Sequence, residues 1–272
     1  MPAINLSRLT LAGSYVLLFF FTLALLAPWL APHDPYQINL QNKLKQPDLM
    51  YPLGTDSLGR CVLSRLIYGT RATLLGALCI VIAISGTGLL LGLTAGYGGL
   101  YADRILAVVI DIFLSIPDLV WMLALVGLWG IESSNLVLAL ILSHWAVYAR
   151  ISRNMAREIG RTDYLLAAKT LRTPWPKILT RHVLPNIFPR LLVLITLDTG
   201  KFILAIAGFS FLGLGVQPPT PEWGAMLSEG KGVMQDHWQL MLGPGFCIML
   251  LVASFTLVGE GLRDDLDPRY RQ

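Results

Sequence analysis

Residues 73–94 read TLLGALCIVIAISGTGLLLGLT, a run without one Asp, Glu, Lys, Arg or His. A helix rising 1.5 Å per residue needs roughly 20 residues to cross a hydrocarbon core of about 30 Å, so the run predicts a membrane-spanning helix. Five more apolar runs of comparable length lie around it, at 11–30, 105–129, 136–151, 187–207 and 240–259. Of the 272 residues, 54% are hydrophobic and only 14% charged, against roughly a quarter charged in an ordinary soluble domain. The expected fold is therefore all-α and polytopic, with six transmembrane helices in a single domain over 1–272.

The first run resembles a signal peptide in having Arg8 before it and small residues near Ala31. It exceeds the usual apolar core of about 7–15 residues, and Pro28, Trp29 and Pro32 read as an interfacial end, so a retained anchor is expected. In the second run Gly88, Gly92 and Gly96 recur every four residues. That spacing clears one helix face for close approach of another backbone.

Lys and Arg placement gives the topology, because basic loops stay cytoplasmic. Arg150, Arg153, Arg157, Arg161, Lys177 and Arg181 follow the fourth run with few acids among them, and Arg263, Arg269 and Arg271 lie in the tail. With six spans, both termini and this loop share one side, expected to be cytoplasmic. Lys43, Lys45, Arg60, Arg65 and Arg71 vote the other way, since the outer segment 32–71 holds them. Within that segment Val62, Leu63, Leu66 and Ile67 beside Ser64 and Arg65 predict an amphipathic helix on the outer face. Residues 208–239, with Pro218, Pro219, Pro221 and Trp223, form a second long outer excursion.

Several chemistries are excluded. No GxxxxGK[ST] phosphate loop is present, and the glycines of 208–215 lack a strand-then-helix setting. No GxSxG elbow or triad-like context appears, so no catalytic residue is assigned. Cys61, Cys79 and Cys247 show no CxxC spacing, and no two of the four histidines lie i, i+4, so neither a metal site nor a cofactor is expected. The net charge of +4 comes without a basic run or aromatic-basic ladder, which argues against nucleic acid.

Charge inside the spans is more informative, because a charge at mid-bilayer costs several kcal/mol unless paired or wetted. Asp111 and Asp118 flank Pro117, His144 lies in the fourth run, and Asp198 stands three residues before Lys201. Two readings remain open for these groups: a water-filled path for a polar substrate, or structural pairing, with Asp198 and Lys201 close enough on one face to pair.

The longest polar interruption is DYLLAAKTLRTPWPKILTRHVLPN, residues 163–186. Asp163 is a plausible N-cap. Tyr164, Leu165, Ala168 and Leu171 fall on one side of the helix that follows. Thr173-Pro174-Trp175-Pro176 must end that helix and can begin another, over 177–184, stopped before Pro185. Two short helices with a half-apolar face among cations make a docking knob for a soluble partner.

This stretch resembles the EAA loop of ABC importer permeases. Ala167 and Ala168 match its alanines and Leu184-Pro185 its closing Leu-Pro, with Leu166 replacing the usual glutamate and Arg172 the usual glycine. PLGTDSLGRCVLSRLIYGTR (52–71), FSFLGLGVQPPTPEWGAML (209–227) and GEGLRDDLDPRYR (259–271) resemble the dipeptide, oligopeptide and nickel branch, with Cys61 in place of an aspartate. The resemblance implies a cytoplasmic coupling helix-turn-helix at 161–186, contacting an ATPase through Asp163, Tyr164, Leu165, Ala167, Ala168, Leu171, Arg172, Leu184 and Pro185. It also implies a second homologous permease, two ATP-binding-cassette subunits that hydrolyse ATP in its stead, an extracytoplasmic solute-binding protein and an inner-membrane location. Asp111, Asp118, His144 and Asp198 would line the substrate path. SHWAVYAR (143–150) and the stretch 197–216 look most like nickel permeases, which implies nickel carried as a small chelate, since no imidazole or thiolate cluster could replace its hydration shell. Di- or oligopeptides are the alternative. A proton-coupled secondary carrier would also place acids in spans, but needs no docking loop.

Overall fold

The computed structural model describes residues 8–97, 99–171 and 173–266, and their side chains except those of Tyr97 and residues 166–169. Its helices are α1 (Arg8–Leu30), α2 (Val62–Tyr97), α3 (Leu100–Ser115), α4 (Asp118–Trp129), α5 (Ser133–Ile159), α6 (Asp163–Thr170), α7 (Trp175–Ile178), α8 (Leu184–Phe211), α9 (Trp223–Lys231) and α10 (Gln239–Leu266). Among the described residues the nearest thing to a strand is an isolated bridge between Thr55 and Cys61.

The glycine seam organises the bundle. A Cβ on Gly88 would lie 2.8 Å from Ala149 N, one on Gly92 2.5 Å from Ala149 O, and one on Gly96 3.4 Å from Ala156 Cβ. Only glycine lets the two backbones approach this closely. The contacts advance in the same direction along both helices, so α2 and α5 are parallel, and the chain must cross back between them.

That return is made by α3 and α4 together. Asp103 meets Arg153, Phe113 packs edge-on against Trp145, Met122 Sδ lies 3.5 Å from Ser143 Oγ, and Asn135 donates to Trp129 O. These pairs run antiparallel to α5 throughout. The run expected as a span at 105–129 is therefore built from two helices, α3 and α4, with an 88° bend between them. The cause is Pro117, which forces Ile116 into extended backbone (φ −100°, ψ 128°). Trp121 ties the corner by donating from Nε1 to Phe113 O at 3.1 Å while its ring stacks on Phe113.

Elsewhere α1 runs antiparallel to α10, with Gly13 against Ser254 and Gly261 against Thr10, and α8 antiparallel to α10, with Gly259 against Leu197. Five helices are long and apolar enough to cross a membrane, and the bent pair counted as one span brings the number to six. The starts of α1 and α8 and the ends of α2, α5 and α10 thus share one end of the bundle with α6 and α7. Segments 31–61 and 212–238 occupy the opposite end.

Two further expectations are corrected. The outer amphipathic helix is the first part of α2, which runs unbroken for 36 residues, about 54 Å. No proline interrupts it, and its polar side is buried: Ser64 and Arg65 are at most 1% exposed. The second docking helix does not stop before Pro185 either. α7 continues through a π turn, Leu179–Val183, in which Leu184 N–H donates to Leu179 O, so Pro185 enters in the first turn of α8, where its missing N–H costs little.

The cations that voted against the topology are largely neutralised. Arg60 Nε lies 2.7 Å from Asp56, Arg60 Nη2 2.8 Å from Glu229, and Arg65 bonds both carboxylates. Lys45 pairs with Asp48 at 2.7 Å, and this ammonium with the Tyr51 N–H holds the Asp48 carboxyl below its ordinary pKa. Glu222, fully buried, caps α9 by accepting from Gly224 N and Ala225 N and also accepts from Thr73 Oγ1 at 3.1 Å. Trp223 beside it donates to Leu66 O and stands edge-on to Phe20. Two segments far apart in sequence are thereby locked onto the start of α2.

Candidate functional site

Two groups of residues carry the functional expectations. At the α6–α7 end, Asp163 is the first residue of α6 rather than its N-cap; its carboxylate still suits the positive end of the helix. Leu165 is fully buried in the core, whereas Tyr164 is half exposed, with its ring 6.0 Å from that of His182, and Leu171 is 80% exposed. The common face expected for Tyr164, Leu165 and Leu171 is not formed, because α6 ends at Thr170 and leaves Leu171 in the turn. Ala167 and Ala168 lie within α6 with side chains outside the described residues, as does Arg172 entirely. Leu184 and Pro185 open α8.

The cations of this end divide into two sets. Arg153 donates to Asp103 at 2.6 and 2.9 Å, Arg157 bonds the same carboxylate, Arg150 bonds Asp111, and Arg190 reaches Glu158 at 3.4 Å. Arg161, Lys177 and Arg181 form no ion pair among the described residues and remain as surface charge. An open depression of about 460 Å³ lies between the α2–α3 turn and α7, with Asp103, Arg157, Trp175 and Ile178 in its walls. Asp103 was not foreseen; two arginines one helical turn apart on α5, facing an acid at the start of α3, are the signal that could have found it.

The second group spans the bundle. His144 Nε2 lies 3.5 Å from Asp118, and its ring stands edge-on to Phe202. One turn further along α5, Tyr148 donates from its hydroxyl to Asp198 Oδ2 at 2.8 Å, while Lys201 Nζ meets Asp198 Oδ1 at 2.7 Å. The expected Asp198–Lys201 pair is thus formed, with Tyr148 as an unforeseen third member. Asp111 takes Arg150 as its partner. Pairing does not bury these groups: Asp111 is 70%, Asp118 55% and Lys201 76% exposed on a surface at span depth. Charges so exposed cannot face lipid cheaply, so water or another polypeptide must cover them. Among the described residues no three His, Cys, Asp or Glu side chains converge on a metal position.

Comparison with known proteins decides the family. The profile described as "Binding-protein-dependent transport system inner membrane component" matches residues 88–272, and that described as "N-terminal TM domain of oligopeptide transport permease C" matches 7–47. The chain belongs to the binding-protein-dependent transport system inner membrane component family. It is 37% identical to the nickel transport system permease protein NikC of Escherichia coli over 90% of this chain and 89% of that one. It is 38% identical to the probable D,D-dipeptide transport system permease protein DdpC of the same organism, over 97% of this chain and 88% of that one. With the dipeptide transport system permease protein DppC of Alkalihalophilus pseudofirmus it shares 34% identity, over 97% and 87%. The chain is therefore a membrane-spanning permease subunit of an ABC importer, the ATP hydrolysis lying in separate subunits. Nickel and dipeptide relatives stand at nearly equal identity, so likeness alone does not choose between the two cargoes.

Proposed function

We propose that this permease forms half of an inner-membrane translocation pore with a second, similar permease, and that it passes nickel held in a small chelate. The observation that carries the pore assignment is the set of exposed charges Asp111 and Asp118 of α3 and α4 and Lys201 of α8, backed by the largely buried His144 of α5 and Asp198 of α8. A partner permease facing this surface across water would solvate it and create a polar route. The end holding α6, α7, the start of α1 and the end of α10 is cytoplasmic in this reading, supported by the uncompensated Arg161, Lys177 and Arg181 and by the internal neutralisation of Arg60 and Arg65 at the other end. Two ATPases dock at residues 161–186, and ATP binding closes them. The loop at 163–185 carries that motion to the spans, which switch from inward to outward access. A solute-binding protein delivers cargo to 31–61 and 212–238.

The nickel assignment rests on 143–150 and 197–216, and the dipeptide relatives keep a second cargo in play. Cells lacking this gene are expected to lose high-affinity uptake of radioactive nickel and to keep growth on dipeptides. The opposite pattern makes the cargo a dipeptide.

A further inference from the structure

At the 31–61 end, an open groove of about 300 Å³ is lined by Tyr36, Tyr68, Arg71 and Leu75 and closed on one side by Thr220 and Pro221. Arg71 is exposed and has no hydrogen-bond or ion-pair partner among the described residues, and the hydroxyls of Tyr36 and Tyr68 likewise have none. The two rings meet edge-on at 6.4 Å, and both line the groove with Arg71. Asp34, the nearest acid in sequence, has its carboxylate turned to the Tyr36 backbone N–H at 2.9 Å and lines no part of the groove. The groove therefore offers a guanidinium and two hydroxyls able to donate, with no carboxylate in its lining, the complement of an anion with several acceptor oxygens.

What lies beneath the groove selects among anions. Arg71, Leu75, Ile82 and Leu90 follow one another at steps of four, seven and eight residues on one face of α2. Leu75, Ile82 and Leu90 are 46%, 62% and 67% exposed, and a Cβ on Gly86 between them would meet nothing within 4 Å. The donor groove thus opens onto an uncovered apolar track. From Arg71 to Ile82 the track falls about 16 Å, half the thickness of the hydrocarbon core. A small dissolved anion has no use for such a track, whereas an acyl chain of one leaflet matches its length.

We infer that this groove binds an anionic phospholipid of the outer leaflet, its phosphate held by Arg71 with Tyr36 and Tyr68 and one chain laid along Leu75 and Ile82. Planar guanidinium suits phosphate, and tyrosine suits the interface at this level. The site is independent of the cargo and of the pore assignment, and only its leaflet rests on the orientation proposed above.

The test uses the assembled transporter in nanodiscs of phosphatidylcholine containing one fifth phosphatidylglycerol, released for native mass spectrometry. The expected result is retention of phosphatidylglycerol over phosphatidylcholine, reduced about tenfold by Arg71→Ala, less by Tyr68→Phe, and unchanged by Lys43→Ala, which removes an exposed cation outside the groove. Leu75→Gln should weaken retention without altering the thermal midpoint. Equal retention of the two lipids by the unmodified protein, or Arg71→Ala and Arg71→Gln both binding as before, overturns the site. Displacement of phosphatidylglycerol by millimolar inorganic phosphate, with no effect of Leu75→Gln, overturns the lipid in favour of a free anion.

Discussion

Glu229 on α9 accepts hydrogen bonds from both terminal nitrogens of the Arg65 guanidinium on α2, one of them at 3.2 Å, across 164 residues of chain. Arg60 shares the same carboxylate, and Asp56 binds both arginines from the other side. Glu229→Ala would leave two guanidinium groups, each on a side chain only 1% exposed, to a single carboxylate. Stripping one partner from a buried pair costs about 3–5 kcal/mol. The thermal midpoint of the purified protein should fall clearly, and Glu229→Gln should fall less because it keeps an acceptor.

The α2–α5 seam makes a sharper demand on volume. Gly92→Leu would drive a side chain into Ala149 O and Arg153 N, which lie 2.5 and 2.9 Å from the would-be Cβ. Backbone cannot yield as a flexible side chain does, so a loss of about 1–3 kcal/mol or more is expected. Gly86→Leu on the same helix meets open space and should leave the thermal midpoint nearly unchanged.

Orientation is open to direct measurement. In a cysteine-free background, cysteines at Asn39 and Gln235 should react with an impermeant reagent added outside intact cells, and one at Thr173 should not. Labelling of the Thr173 position from outside would reverse the proposed orientation.

Removing both members of the α8 ion pair separates a structural from a transporting role. Asp198→Asn with Lys201→Met leaves no stranded charge, so insertion and stability should persist. If the pair borders the polar route, uptake should drop at least about tenfold. Retained uptake would make the pair purely structural.

For the docking loop, Ala168→Arg places a charge on the short helix proposed to seat in the ATPase. An unpaired charge in a packed interface costs several kcal/mol. Uptake should fail while the permease still inserts, and unchanged ATPase association would remove α6 from the coupling role.

Much of this molecule was legible in its sequence for physical reasons. Long apolar runs have few alternatives to a spanning helix, and the Gly88, Gly92 and Gly96 spacing named its own packing face. Pro117 was visible too, yet sequence alone did not tell a kinked span from one broken by 88°. The helix continuing through Pro185 depends on a π turn, which has no local signature in LTRHV. Least legible were pairings between distant segments: nothing in DSLGRCVLSR names Glu229 as its partner, and nothing near Asp198 names Tyr148. Arg60 and Arg65 were read only as cations of the outer segment, Arg65 on its amphipathic helix, because burial of an arginine is decided by the acid that meets it.

From Trp175 to Phe211 the polypeptide is one helical rod of 37 residues, about 55 Å long. Its stiffness is uneven. Leu179–Val183 is wound as a π turn, and Pro185 and Pro189 each lack an N–H, so the weakly bonded stretch is confined to residues 179–189, within the first two-fifths of the rod. Beyond Pro189 the hydrogen-bond ladder runs uninterrupted by proline to Phe211. Flexure of this rod therefore concentrates at one joint near its base, and a tilt of about 10° at Pro189 would swing the far tip by roughly 6 Å over the remaining length of about 33 Å.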